Sequence, residues 1–123
     1  MRPCLLLLAV SVSGLSGCGA KLPEAADPER ARETLRTGLE SWKNGETIDS
    51  LPKRSPPIYF KDSDWKAGWQ LKSFRTTLDD EPYGQQRRIY VHLSLQKSGK
   101  ATAKEVQYLV DTTPALVIVR VED

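Results

Sequence analysis

From residue 27 to 45 the chain reads DPERARETLRTGLESWKNG, with apolar Ala31, Leu35, Leu39 and Trp42 recurring at helical spacing. Arg30, Arg32, Glu33, Arg36, Glu40 and Lys43 fill the rest of the circumference, so the segment predicts one amphipathic helix. Asp27 suits the cap of the free backbone amides and Pro28 the first helical position. Gly45 suits the left-handed conformation that ends a helix. The stripe cannot be buried by the helix alone, so a partner layer is required.

That layer is predicted from the rest of the chain, where the period changes from helical to alternating. Arg88 to Gln96 alternates cleanly, with Ile89, Val91, Leu93 and Leu95 on one face and Tyr90, His92 and Ser94 on the other. Lys97-Ser98-Gly99-Lys100 predicts a hairpin turn, and Ala101 to Asp111 returns with Val106, Tyr108 and Val110 on the core parity. Pairing residue 96 with 101 sets Val91 opposite Val106, Ile89 opposite Tyr108, His92 opposite Glu105 and Tyr90 opposite Gln107. Like then meets like on both faces. Trp69 to Leu78 predicts an earlier strand whose alternation breaks, so a bulge is expected near Ser73. Asp79 to Gly84 reads as a polar turn.

Ala115 to Val121 predicts a last, strongly apolar strand. If Asp111 and Pro114 flank the turn before it, Leu116 lies near Leu109, Ile118 near Gln107 and Arg120 near Glu105. A turn of different length would swap these faces. In this register Tyr90, His92, Leu109, Leu116 and Ile118 share the face away from the helix. That makes it a candidate binding surface, too apolar for plain solvent and too polar for a core.

Between helix and strands, Glu46 to Arg54 is polar and irregular. Ser55-Pro56-Pro57-Ile58-Tyr59-Phe60 is read as a rigid extended connector over one edge of the core. Asp62 is expected to cap a single helical turn ended by Gly68, and Asp62 and Asp64 are read as turn chemistry rather than cation ligands. Trp65 and Trp69 are expected in the core or at its rim near Trp42.

The 123 residues leave room for one domain of about 100 residues. The expected class is α+β, one N-terminal helix packed on a four-stranded antiparallel meander sheet. Met1 and Arg2 precede an apolar run from Leu5 to Val12, and Leu15-Ser16-Gly17-Cys18 closes it. L-S-G-C resembles the lipobox of bacterial lipoproteins, which implies that residues 1–17 are removed as a signal peptide and that Cys18 carries the lipid. Residues 18–26 then form the lipidated cysteine and a short tether, and 27–123 the folded domain. The eight residues from Gly19 to Ala26 reach at most about 28 Å, keeping the domain close to the membrane. Gly19 is not the aspartate that retains enterobacterial lipoproteins at the inner membrane. The resemblance therefore implies an extracytoplasmic domain in the bacterial cell envelope, on the outer membrane rather than the inner. Cys4 leaves with the leader, so no disulfide is expected in the domain.

One helix followed by antiparallel strands is similar to the cystatin-like arrangement, shared by the nuclear-transport-factor-2-like group. W-K-N-G at 42–45, S-P-P-I at 55–58, D-S-D-W-K-A-G at 62–68 and Y-L-V-D-T-T-P at 108–114 also resemble short bacterial proteins, often lipoproteins, whose activity is unknown. The Q-x-V-x-G hairpin of cystatin inhibitors does not occur in this sequence.

Removing Arg2 with the leader lowers the formal charge from +2 to +1, which gives no electrostatic case for a nucleic-acid partner. No glycine-rich phosphate loop, Ser-His-Asp spacing or metal-ligand cluster appears, so no cofactor, metal or catalytic residue is expected. The sole histidine, His92, is read as one half of a surface pair with Glu105. The function expected is a non-catalytic interaction domain, tethered to the membrane through Cys18 and meeting a protein partner or its own copy on the open sheet face. The alternative is a small-ligand site or enzyme with a pocket between helix and sheet involving Tyr90 or His92.

Overall fold

The computed structural model describes residues 25–77 and 79–122; the expected signal peptide, Cys18 and most of the expected tether lie outside the described residues. Helix α1 spans Pro28–Lys43. Asp27 accepts a hydrogen bond from the Arg30 amide at 2.8 Å, and Gly45 follows the helix with φ +85°. Both end signals in the sequence are used as expected. The stripe Ala31, Leu35, Leu39 and Trp42 is buried.

A 3₁₀ helix, Ile48–Lys53, follows where an irregular segment was expected, and it drives Leu51 wholly into the core. Strand β1 is Ile58–Lys61 and the one-turn helix α2 is Ser63–Lys66. Strands β2 (Gln70–Thr76), β3 (Glu81–Tyr83), β4 (Gln86–Lys97), β5 (Lys100–Asp111) and β6 (Leu116–Arg120) complete the described fold. The sheet order is β1-β6-β5-β4-β2, with β3 also paired to β4.

The α+β class stands, but the four-stranded antiparallel meander does not. Among the described residues the sheet has six strands, and β1 joins β6 in parallel, Ile58 beside Leu116 and Phe60 beside Ile118. Pro56 and Pro57 lack amide donors, which suits the edge of a sheet and not its middle. The segment Glu81–Tyr83 is a strand rather than a turn, pairing with Gln86–Arg88 around Gly84.

The β4–β5 register is the expected one, with Val91 opposite Val106, Ile89 opposite Tyr108 and His92 opposite Glu105. The bulge in β2 also falls where the alternation breaks, between Leu71 and Ser73. The β5–β6 register differs from expectation by three residues. Val119 rather than Leu116 lies opposite Leu109, and Ile118 pairs with Val110. An odd displacement moves every β6 side chain to the other face.

The core lies between α1 and the inner sheet face. Trp42 and Trp65 stack at 5.3 Å between ring centroids, and Phe60 meets Trp65 and Tyr108 edge-on at 5.3 and 5.5 Å. Gly38 makes this packing fit, since a Cβ there would lie 2.6 Å from the Phe60 ring. Each such large apolar side chain stabilises the fold by about 1.5–3 kcal/mol relative to exposure.

Candidate functional site

The outer sheet face has no helix over it among the described residues. Strand alternation puts Tyr90 and His92 of β4, Gln107 and Leu109 of β5, and Val117 and Val119 of β6 on that side, all partly exposed. Three of the five residues expected there are present: Tyr90, His92 and Leu109. Leu116 and Ile118 are in the core, 7% and 0% exposed, because of the register displacement. Val117 and Val119 take their places, so the face keeps its apolar band with different members.

The band has a polar border. The Tyr90 hydroxyl lies 3.1 Å from Glu81 Oε2, and the Arg88 guanidinium sits over the Tyr83 ring at 4.1 Å. His92 Nε2 is 3.3 Å from Glu105 Oε2, with both side chains well exposed. That is the geometry of a solvated surface pair, worth about 0–1 kcal/mol. Beside it a recess of about 590 Å³ lies along the β2 bulge, bordered by Arg75, His92 and Glu105.

A second constellation lies on the inner side and was not foreseen as a unit. Asp62, whose side chain is fully buried, receives the amides of Asp64 and Trp65 at 2.9 and 3.2 Å. It also accepts from Arg120 Nη1 at 3.0 Å and from the Tyr108 hydroxyl. Four donors use the acceptor capacity of one carboxylate. Arg120 Nη1 also reaches Asp64 at 2.6 Å, and Lys104 Nζ reaches the same oxygen at 2.9 Å. Burial, and then the neighbouring Asp62 carboxylate, push the Tyr108 phenol well above its ordinary range. With its acceptors occupied and no exposed surface, Asp62 is a structural tie between α2 and the last strand. Arg120 gave no clue in the sequence, because its burial follows from the β6 register.

A third cluster joins helix to hairpin. Asp80 accepts from Arg32 at 2.7 and 2.9 Å and from Arg87 at 2.6 and 2.8 Å. The Arg32 hydrogen bond, followed by that of Arg87, holds the Asp80 carboxyl below its ordinary value. It borders a cleft of about 330 Å³ between α1 and the sheet, floored by Leu35 and Ile89. Tyr90 and His92 are on the opposite side of the sheet, so a helix–sheet pocket built on them is not formed.

Among the described residues no three His, Cys, Asp or Glu side chains gather as a metal site, and no helix is long and apolar enough to cross a membrane. Comparison with protein-family models, curated proteins and solved structures gives no match to this chain.

Proposed function

We propose that this protein is an extracytoplasmic lipoprotein of the bacterial envelope, tethered through lipid on Cys18, whose outer sheet face binds a protein partner without catalysis. The L-S-G-C sequence supports the tether, and Gly19 supports the outer membrane. Dual acylation gives stable anchoring where one chain gives only marginal binding. A helix laid on the antiparallel run β2-β4-β5-β6 supports the cystatin-like reading of the fold, with β1 and β3 as additions to it.

The observation that carries the binding role is the band of Leu109, Val117 and Val119 with Tyr90, on a face that no described element covers. An exposed apolar patch rimmed by polar residues marks an interaction site, and tyrosine and arginine are enriched at such surfaces. His92 and Glu105 are exposed and border an open recess of the sheet, so the face suits recognition rather than proton transfer.

The test is capture of envelope proteins by the acylated protein, wild type against Val117→Glu and Val119→Glu. Both side chains point outward, so thermal unfolding should be little changed. Loss of a specific co-purifying protein in both variants is the expected result. Identical capture profiles for wild type and variants would remove the reading, and an unacylated Cys18 in the purified protein would remove the tether.

A further inference from the structure

The start of the domain is pinned at one end of the sheet. The Ala26 amide donates to the Gln85 carbonyl at 2.8 Å, and the Asp27 amide donates to Thr112 Oγ1 at 3.0 Å. Gln85 belongs to the β3–β4 turn, and Thr112 to the loop between β5 and β6. From there α1 runs beside β4 to the other end, where Trp42 Nε1 donates to the Trp69 carbonyl next to Gln70, the partner of Gln96. The 12 residues of β4 span about 40 Å. The domain is therefore longer than the tether, and its two ends are not equivalent.

The pinned end carries two exposed tyrosines. Tyr83, 48% exposed, ends β3 at the β3–β4 turn, and Tyr59, 47% exposed, lies beside Val117 at the start of β6. Arg88 backs the Tyr83 ring at 4.1 Å. Tyrosine rings with an apolar body and a polar tip concentrate at the headgroup level of bilayers, and arginine stems tolerate that zone with the charge turned to water. Charges of both signs lie at this end: Arg88 is 3.7 Å from Glu81, and Arg30, Arg36 and Arg54 with Glu33 border the starts of β1 and β6.

We propose that the β3–β4 turn and the adjoining start of β1 are the membrane-contacting end of the domain, with Tyr83 and Tyr59 seated among phospholipid headgroups. This rests on the Cys18 anchor: a tether of at most about 28 Å ends at the turn itself, so that end is the one brought to the bilayer. The sheet then stands upright on the membrane. Its outer face is presented sideways, and the Ser98-Gly99 turn is the part farthest from lipid.

The experiment uses the acylated full-length mature protein in phosphatidylcholine vesicles, with a nitroxide on Gln85→Cys or on Ala101→Cys. Acylation blocks Cys18, so the introduced thiol is the one labelled. The Gln85 contact to Ala26 is made by its carbonyl and survives the substitution. Expected is a label at 85 that is relaxed by oxygen and shielded from a water-soluble nickel chelate, at low and high salt alike. The label at 101 should behave as in bulk water. Replacing Tyr83 and Tyr59 by Ser should leave vesicle flotation intact and restore chelate access at 85. Equal aqueous exposure of 85 and 101 in protein that still floats with vesicles would overturn the orientation while leaving the anchor standing. Failure of the acylated protein to float would overturn the anchor, and the orientation with it.

Discussion

Arg120 Nη1 lies 3.0 Å from Asp62 Oδ1, joining the last strand to the residue that caps α2, 58 positions earlier in the chain. Both side chains are withdrawn from water, so the pair matters chiefly through what its loss leaves behind. Breaking a buried ion pair by deleting one partner costs about 3–5 kcal/mol, because a buried charge is left uncompensated. Arg120→Leu should therefore lower the urea midpoint by a large margin. Adding Asp62→Asn to it should recover part of the loss, a non-additivity that a double-mutant cycle reads directly.

Stability should fall at both extremes of pH for identifiable reasons. Asp80 has a depressed native pKa, so its contribution is present above the ordinary carboxylate value of 3.8 and is lost as acid protonates it. Tyr108 has a raised native pKa, so its contribution is present below the ordinary phenol value of 10.0 and is lost as pH rises beyond it. Asp80→Asn should flatten the acid limb of the unfolding free energy, and Tyr108→Phe the alkaline limb. Asp80→Asn should leave the alkaline limb unchanged. Tyr108→Phe should also cost about 1.5–3 kcal/mol at neutral pH, through the hydrogen bond it withdraws from Asp62.

Gly38 offers a test of packing against propensity. In an exposed helix interior, alanine is better than glycine by about 1 kcal/mol. Here the added methyl would meet the Phe60 ring, itself held by Trp65 and Tyr108, and overpacking of this kind costs about 1–3 kcal/mol. Gly38→Ala is expected to destabilise in wild type and to do so less in a Phe60→Leu background, as measured by thermal unfolding.

The β6 register gives opposite expectations for neighbouring residues. Ile118→Ala removes a fully buried side chain and should cost about 2–5 kcal/mol. Val119→Ala, on the outer face, should change stability far less. If the two costs were reversed in denaturant unfolding, the register would be wrong by an odd number of residues.

The contrast between these two residues marks where the sequence was legible. Local signals carried α1, the α2 cap, the β2 bulge and the whole β4–β5 hairpin, because a cap, a glycine or a strict alternation acts within a few residues. What was not legible is set by distant partners. Leu116 and Val117 are both apolar, so β6 itself offers no preference of face, and the loop from Thr112 to Ala115 decided it. The parallel pairing of β1 with β6 leaves no local trace. Glu81-Pro82-Tyr83 reads as a turn because nothing in three polar-flanked residues announces the strand that β4 recruits. The candidate face was found with Tyr90, His92 and Leu109 in place, and it lost Leu116 and Ile118 for the same reason.

The Asp62 tie also has a consequence in time. A chain made from its N-terminus presents Asp62 long before Tyr108 and Arg120 exist, and β1 long before β6. The hairpin of β4 and β5 can zip from contacts close in sequence, whereas closure of the sheet edge waits for contacts 46 and 58 residues apart. Until the final strand arrives, β1 has no partner strand, and the core positions that Leu116 and Ile118 fill stand open. Closure of the core therefore waits on β6, whatever has paired before it.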